Sequence, residues 1–371
     1  MNVSASRSLT IGIDASSAVS AERTGVAKLV GRLIEHLEAM DDANKYVIYH
    51  RLSRWKNREY FYRPKRATTK VKVLQEPFFT GRGIDVFHGP DARLPKIRGP
   101  RLVATVNDLF SLVSDEFADE KFRSKKIERY RDIARRADRI ICISESTRRD
   151  FIRFFPDAEP RTCVIYAGVD EIFYRRSKEE IERVRKKLGV RSDYILYVGA
   201  LSKRKNMLRM FDAFRQARHQ MGEDLQFVAV GRLTYGGDEI LRYIEDNRCA
   251  DQILLPGYVP DRDLPAIYSG ARLLLFATLY EGFGMPILEA LACGTPVVTS
   301  NVSSSAEIAG DAACLVNPMD QEEIVKGLLL VLNGNKPVGA DFPSRAPQFK
   351  WPTMATETLS VYQKVGLKRA T

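Results

Sequence analysis

The run ARLLLFA at Ala271–Ala277 is short, largely apolar and bounded by polar residues. Such a run fits a strand covered on both faces of a parallel sheet. Glu281 then stands just past the carboxyl end of that strand. Gly282 and Gly284 permit positive φ and close approach of a ligand to the backbone, and Pro286 suits the first turn of a helix running to about Ala292. A strand feeding a glycine loop and then a helix commits the chain to an α/β architecture. The free N–H groups at that helix start face the loop and make an anion site, at the strand end where open α/β sheets bind ligands. Glu281 and Glu289 flank the loop, and only Glu289 is expected to be helical. Its helix is otherwise apolar (Met285, Ile287, Leu288, Ala290, Leu291), so a buried carboxylate there needs a polar partner.

The same pattern recurs along the chain. Strands are expected at Leu9–Ile13, Tyr46–His50, Val71–Leu74, Val86–His88, Arg101–Val106 and Arg139–Ile143, with helices between them. Thr24 reads as the N-cap of a helix to Met40, with Gly25 beside it. Ser177–Leu188 reads as a helical linker, after which the strand Tyr194–Val198 opens a second α/β unit. Its loop, GALSKRKNMLRMFDAF, puts Arg204 and Lys205 at a strand's carboxyl end just before a helix from Met207. Cations so placed suit a pyrophosphate, Arg by forking two oxygens and Lys as a point charge. Asp261-Arg-Asp263 imitates a metal-binding D-x-D but directly precedes a helix, and helix capping is the better reading. Gly81-Arg-Gly83 precedes a strand and reads as a turn. A polar, proline-containing stretch, Asn333–Pro347, leads to Trp351 and an amphipathic end helix.

At 371 residues and 44% apolar composition the chain exceeds one typical core and calls for two domains. No stretch reaches the roughly 20 apolar residues of a membrane span, and the start MNVSASRSLT lacks a signal peptide's apolar core, so a cytoplasmic protein is expected. Five scattered cysteines without a C-x-x-C pair predict reduced thiols, and four histidines without H-E-x-x-H predict no catalytic metal. Charge is uneven. Residues 1–170 hold 32 basic against 23 acidic residues, a surplus of nine within a formal net charge of +11. Between Arg51 and Lys72 nine Lys or Arg face one acid, Glu59, with Trp55, Tyr60, Phe61 and Tyr62 interleaved. That surface suits the inner face of an anionic membrane, each nearby cation contributing on the order of 1 kcal/mol, or else is a solvated basic face. No nucleic-acid-binding module is present, so no nucleic acid partner is expected.

Glu281 to Glu289, with GFGMP between them and ACGTPVV after, resembles the E-x7-E signature of retaining family 4 glycosyltransferases with the GT-B fold. GIDASSAVSAERTGVAKLV, VATVNDLF, IICISESTRRDF, VIYAGVD and the Arg204-Lys205-Asn206 loop follow the family's order from about Ile11 to Tyr362. Three positions depart from it: Asn107 stands where the family usually has histidine, Ala167 where it has asparagine, and Ala200 where many members have arginine. The resemblance implies two Rossmann-like domains with parallel sheets facing an interdomain cleft. Residues 1–172 would serve the acceptor, 173–350 the nucleotide sugar, and 351–371 would form a helix crossing back to the first domain.

The GIDA, FHGPDARLP and YVGALSKRKN segments are similar to those of bacterial mannosyl- and related hexosyltransferases that build surface polysaccharide or lipopolysaccharide. The implied reaction moves a hexose from GDP-mannose, or second a UDP-hexose, to a glycan or lipid-linked acceptor, retaining configuration and using neither metal nor cofactor. By resemblance, Arg204 and Lys205 hold the diphosphate; Glu281 with Gly282, Phe283, Gly284 and Met285 holds the donor sugar; Glu289 holds the ribose; Gly25 borders the phosphates; Gly231, Tyr258 and Val259 border the base. Asn107 and Asp108 face the sugar from the first domain. An epimerase or phosphorylase of the same fold is one rival reading. A non-catalytic GT-B subunit is another, suggested by Asn107, Ala167 and Ala200.

Overall fold

The computed structural model describes residues 7–20, 24–76, 78–334 and 346–367. Most of the polar stretch Asn333–Pro347 thus lies outside the described residues, as do residues 21–23 of the first loop. The chain divides into two units. The first takes residues up to Leu109, Ser124–Gly168 and those from Gln348 on; the second takes Phe110–Arg123 and Val169–Pro347.

In the first unit β1 (Thr10–Asp14), β2 (Lys45–Arg51), β3 (Thr69–Leu74), β4 (Val86–Gly89), β5 (Arg101–Val106), β6 (Arg139–Cys142) and β7 (Thr162–Val164) pair in parallel, in the order 3-2-1-4-5-6-7. In the second, β8 (Asp193–Val198), β9 (Leu225–Val230), β10 (Ile253–Gly257), β11 (Leu273–Phe276), β12 (Val297–Ser300) and β13 (Cys314–Val316) run parallel in the order 10-9-8-11-12-13. Both sheets therefore reverse their winding beside their first strand, at β1/β4 and at β8/β11. At such a switch point the flanking helices leave to opposite faces and open a crevice beyond the strand ends.

Helices α1 (Gly25–Met40), α2 (Phe110–Val113), α3 (Glu120–Arg136) and α4 (Glu145–Phe154) belong to the first half of the chain. They are followed by α5 (Lys178–Leu188), α6 (Met207–Met221), α7 (Gly237–Asp246), α8 (Leu264–Ser269), α9 (Met285–Ala292), α10 (Ser303–Ala309), α11 (Gln321–Leu332) and α12 (Trp351–Gly366). Among the described residues none is long and apolar enough to cross a membrane. Thr24 caps α1 as expected, its Oγ1 accepting from Ala27 N at 3.3 Å. The linker helix α5 begins with a Ser177/Glu180 capping box and ends at Gly189, at φ 77°. Gly81 and Gly83 form the expected turn, at φ 71° and 78°. All five cysteines are free thiols.

One local expectation fails. Asp263 stands at the start of α8, but its backbone is helical and its side chain makes no cap bond. Every residue of α8 is buried, and Asp263 is buried with it, so its carboxylate meets a counter-ion instead: Lys187 Nζ of α5 lies 2.6 Å away. A buried carboxylate needs a partner, and here a lysine from a neighbouring helix supplies a charge-assisted one.

The end helix α12 packs on α1 and against β4 and β5, within the first unit. Its Tyr362 hydroxyl lies 2.6 Å from His88 Nδ1, and Thr105 Oγ1 lies 2.8 Å from His88 Nε2. The imidazole is wholly buried, and burial lowers its pKa to about 3. Since the unfolded chain protonates this histidine near 6.5, His88 favours the fold fully above that pH. As pH falls from about 6.5 toward 3, this contribution is lost by about 1.4 kcal/mol per pH unit. Urea unfolding of wild type and His88→Gln across this range should show a shallower pH slope for the variant; parallel slopes would refute the assignment.

Candidate functional site

The second sheet's switch point is built by three loops tied together through Asn206. This residue adopts φ 60°, a left-handed conformation that asparagine tolerates, immediately before α6. Its Nδ2 donates to the carbonyl of Ala277 at 2.9 Å, after β11, and to that of Pro318 at 2.8 Å, after β13. Leu279 N–H adds a bond of 3.1 Å to the Arg204 carbonyl. The loop after β8 is thereby laced to the loop after β11, which brings the side chains of Arg204 and Lys205 onto Glu281.

Lys205 Nζ donates to Glu281 Oε1. Arg204 Nη1 lies 3.5 Å from Glu281 Oε2 and also donates to the Tyr280 carbonyl. Lys205 and Glu281 are each 7% exposed. Burial alone would raise the Glu281 carboxyl, but the charges of Lys205 and Arg204 outweigh it and hold the group below its ordinary value. Glu281 is therefore an anion at neutral pH. Two serines of α10 set its backbone: Glu281 N–H donates to Ser303 Oγ at 3.1 Å, and Ser304 Oγ donates to the carbonyls of Glu281 and Phe283 at 2.8 and 2.9 Å. Neither serine was legible as part of the site, because each acts on a loop about twenty residues upstream.

Beyond Glu281 the loop enters α9. Both glycines permit positive φ, and it is Gly284 that takes the left-handed conformation, at φ 104°, while Gly282 does not. Pro286 occupies the first turn and the helix ends at Ala292, as the sequence reads. Glu289 is 5% exposed, and its polar partner is the buried Tyr268 hydroxyl, which donates to Oε2 at 2.7 Å. On the other side of β8, Gly231 sits at φ 144° with its N–H donating to the Gly257 carbonyl at 2.9 Å. A Cβ at Gly231 would lie 1.9 Å from the Gly199 carbonyl oxygen, so only glycine lets these loops approach. Tyr258 is exposed and Val259 buried just beyond.

Gly25, Asn107 and Asp108 belong to the first unit. Gly25 opens α1. Asn107 follows β5, its Nδ2 donating to the Pro90 carbonyl at 3.0 Å, while its buried Oδ1 has no hydrogen-bond partner among the described residues. Asp108 accepts the Tyr130 hydroxyl on its backbone carbonyl at 2.9 Å. Thus Arg204, Lys205, Glu281 and the start of α9 form one cluster within the second unit, which also holds Glu289, Gly231, Tyr258 and Val259, whereas Gly25, Asn107 and Asp108 sit at strand and helix ends of the first.

This geometry can be set beside known proteins. The family model described as glycosyltransferase family 4 matches residues 24–172, and that described as glycosyl transferases group 1 matches residues 178–346. The O-antigen chain mannosyltransferase B of Escherichia coli is 30% identical over 285 residues, 75% of this chain and 74% of that protein. The chain belongs to the family 4, group 1 glycosyltransferases. The serotype-specific mannosyltransferase WbdA of Escherichia coli is 29% identical over 230 residues, which span 60% of this glycosyltransferase but only 28% of WbdA. Among solved structures, Anabaena Alr3699/HepE in complex with UDP and glucose superimposes with a TM-score of 0.72 at 17% identity, covering 96% of this chain and all of that one. These likenesses identify the two parallel-sheet units as the Rossmann-like halves of a GT-B glycosyltransferase.

Removing one partner of a buried pair leaves the other charge uncompensated, typically at about 3–5 kcal/mol. In this glycosyltransferase Arg204 offsets part of that, so Lys205→Met should destabilise the fold by about 2–4 kcal/mol. Adding Glu281→Gln should restore most of the loss. Urea unfolding of the two single variants and the double variant measures the coupling; additive losses would mean that the pair does not hold the two loops together.

Proposed function

We propose that this glycosyltransferase moves a hexose, mannose first among candidates, from a nucleotide sugar to a glycan or lipid-linked acceptor in surface polysaccharide synthesis. The transfer retains anomeric configuration and uses no metal. The observation that carries the reading is the Arg204–Lys205–Glu281 cluster at the β8/β11 switch point, beside the start of α9. The mannosyltransferases similar to this chain favour mannose, hence GDP-mannose, and the UDP and glucose held by HepE make a UDP-hexose the second candidate.

In this reading the donor diphosphate competes with Glu281 for the two cations. Arg204 and Lys205 turn to the phosphate oxygens and neutralise the charge that grows as the bond from the anomeric carbon to phosphate oxygen breaks. The acceptor hydroxyl adds to the same face of that carbon, and its proton passes to the departing diphosphate, so no protein base is required. Glu281, released from part of its ion pairing, accepts hydrogen bonds from donor sugar hydroxyls, together with the backbone of Gly282–Met285. Glu289 takes the ribose hydroxyls, the backbone at Gly231, Tyr258 and Val259 meets the base, and Gly25 borders the phosphates. Asn107 offers its unpartnered Oδ1 where a histidine would offer a protonatable ring, and Asp108 acts beside it. The exposed Trp55 and Tyr60, with Arg58 stacked 5.5 Å from the Trp55 ring, support peripheral contact of the first unit with an anionic membrane.

A panel of GDP-mannose and UDP-hexoses, incubated with and without EDTA, tests this through nucleoside diphosphate release. Release from GDP-mannose at an EDTA-independent rate is expected. A rate abolished by EDTA and restored by a divalent cation would overturn the metal-free reading, and absence of both binding and release across the panel would overturn transfer from these donors.

A further inference from the structure

Arg51 belongs, by sequence, to the run of basic residues that ends at Lys72, yet it is not on the surface. It is the last residue of β2 and only 6% exposed. Its Nε donates to Asp14 Oδ2 at 2.8 Å, at the end of β1, and its Nη1 lies 3.1 Å from Glu76 Oε2. Its remaining nitrogen, Nη2, is buried and has no hydrogen-bond partner among the described residues. A buried guanidinium with an idle donor is costly, so it points to a missing acceptor.

Arg51 lines a pocket of about 320 Å³ at the β1/β4 switch point of the first sheet. Five basic side chains line it against two carboxylates. Asp14 offsets only one of them, Arg51, with which it pairs, and its other oxygen is taken up by the Ser16 amide and hydroxyl at 3.1 and 2.5 Å. Burial raises the carboxyl of Asp91, the other acid. The cations repel one another: burial, and then the charges of Arg51 and Arg129, hold Arg93 below its ordinary value despite Glu76 at 3.5 Å. Ser17 Oγ adds a second buried polar atom without a hydrogen-bond partner among the described residues to the same lining. A wider hollow of about 760 Å³ shares Arg93, Lys125 and Arg129, so whatever anion sits among them has room for an attached group.

We propose that this pocket binds a phosphoryl group carried by the acceptor, with Arg51, Arg93 and Arg129 as its ligands and the Ser17 hydroxyl as a further donor. The word acceptor rests on the transferase reading above; the phosphoryl rests on this pocket alone. A carboxylate presents two oxygens in one plane and is filled by a single guanidinium fork, whereas a tetrahedral phosphoryl presents oxygens to several guanidiniums at once. The pocket therefore selects acceptors bearing a phosphate ester or diphosphate, either as a soluble sugar phosphate or as a lipid-linked one.

The test is titration of donor-free protein with mannose 6-phosphate, and separately with phosphatidylcholine vesicles with and without a polyprenyl phosphate, read by calorimetry and by 31P line broadening. Saturable binding of either phosphate probe is expected. It should weaken at least about tenfold in Arg93→Met and in Arg129→Met, and stay unchanged in Lys186→Ser, which removes a charge from α5 of the other unit. Preference for the vesicles assigns the phosphate to a lipid carrier; preference for mannose 6-phosphate assigns it to a soluble sugar. Binding by neither probe, or binding that survives both arginine variants, overturns the proposal. Nucleotide release from the donor panel, recorded on the same preparations, keeps the two readings apart. An enzyme that releases nucleotide but ignores phosphate loses only this pocket; a protein that binds phosphate but releases no nucleotide loses only the transfer reading.

Discussion

The buried ion cluster of Lys205, Arg204 and Glu281 is the constraint on which the loops at the second unit's switch point depend. Taking these charges out of water costs several kcal/mol each, and mutual attraction repays it only while the geometry is held. That geometry comes from elsewhere. Asn206 pins the loop after β8 to those after β11 and β13, and Ser303 and Ser304 fix the backbone on either side of Glu281. A glycine at 231 then allows the loop after β9 to close up against Gly199. Side chains outside the cluster thus set the position of the charges within it.

The two sheets repeat one winding scheme, and each brings opposite charges together at its switch point. In the second unit the cluster is balanced by close pairing on Glu281. In the first unit Asp14 and Arg51 pair, but one guanidinium nitrogen and one serine hydroxyl find no partner among the described residues, and cations outnumber acids around them. The same topology therefore yields two different electrostatic surfaces. The difference arises from the residue at each strand end and from what its neighbours already satisfy.

Much of this was legible in the order of residues. Short apolar runs followed by glycine loops and amphipathic helices forced parallel α/β units, because strands buried on both faces and helices buried on one have distinct periods. Thr24, Ser177 and Pro286 marked helix starts through local hydrogen-bonding chemistry, and the Glu281–Glu289 and Arg204–Lys205 motifs marked strand-end loops. Asp263 misled, since the capping rule is local whereas its burial against α5 is not. Which of the two loop glycines uses its freedom was not legible: glycine permits a positive φ without requiring it, and only the packed loop selects Gly284.

What the sequence by itself determined is the list of elements and their α/β alternation, which follow from spacing within about a dozen positions, the residue types at each strand end, and, through the resemblance of its motifs, the family. Only the tertiary structure decided which of those residues meet. Glu281 lies 76 residues from Lys205, Glu289 lies 21 from Tyr268, His88 lies 274 from Tyr362, and Arg51 lies 37 from Asp14. Such contacts are set by strand order and by competition for buried hydrogen-bond partners, which is resolved only when every loop is packed. That is why a residue that counts as one more charge in a basic stretch, Arg51, becomes a buried donor facing a pocket.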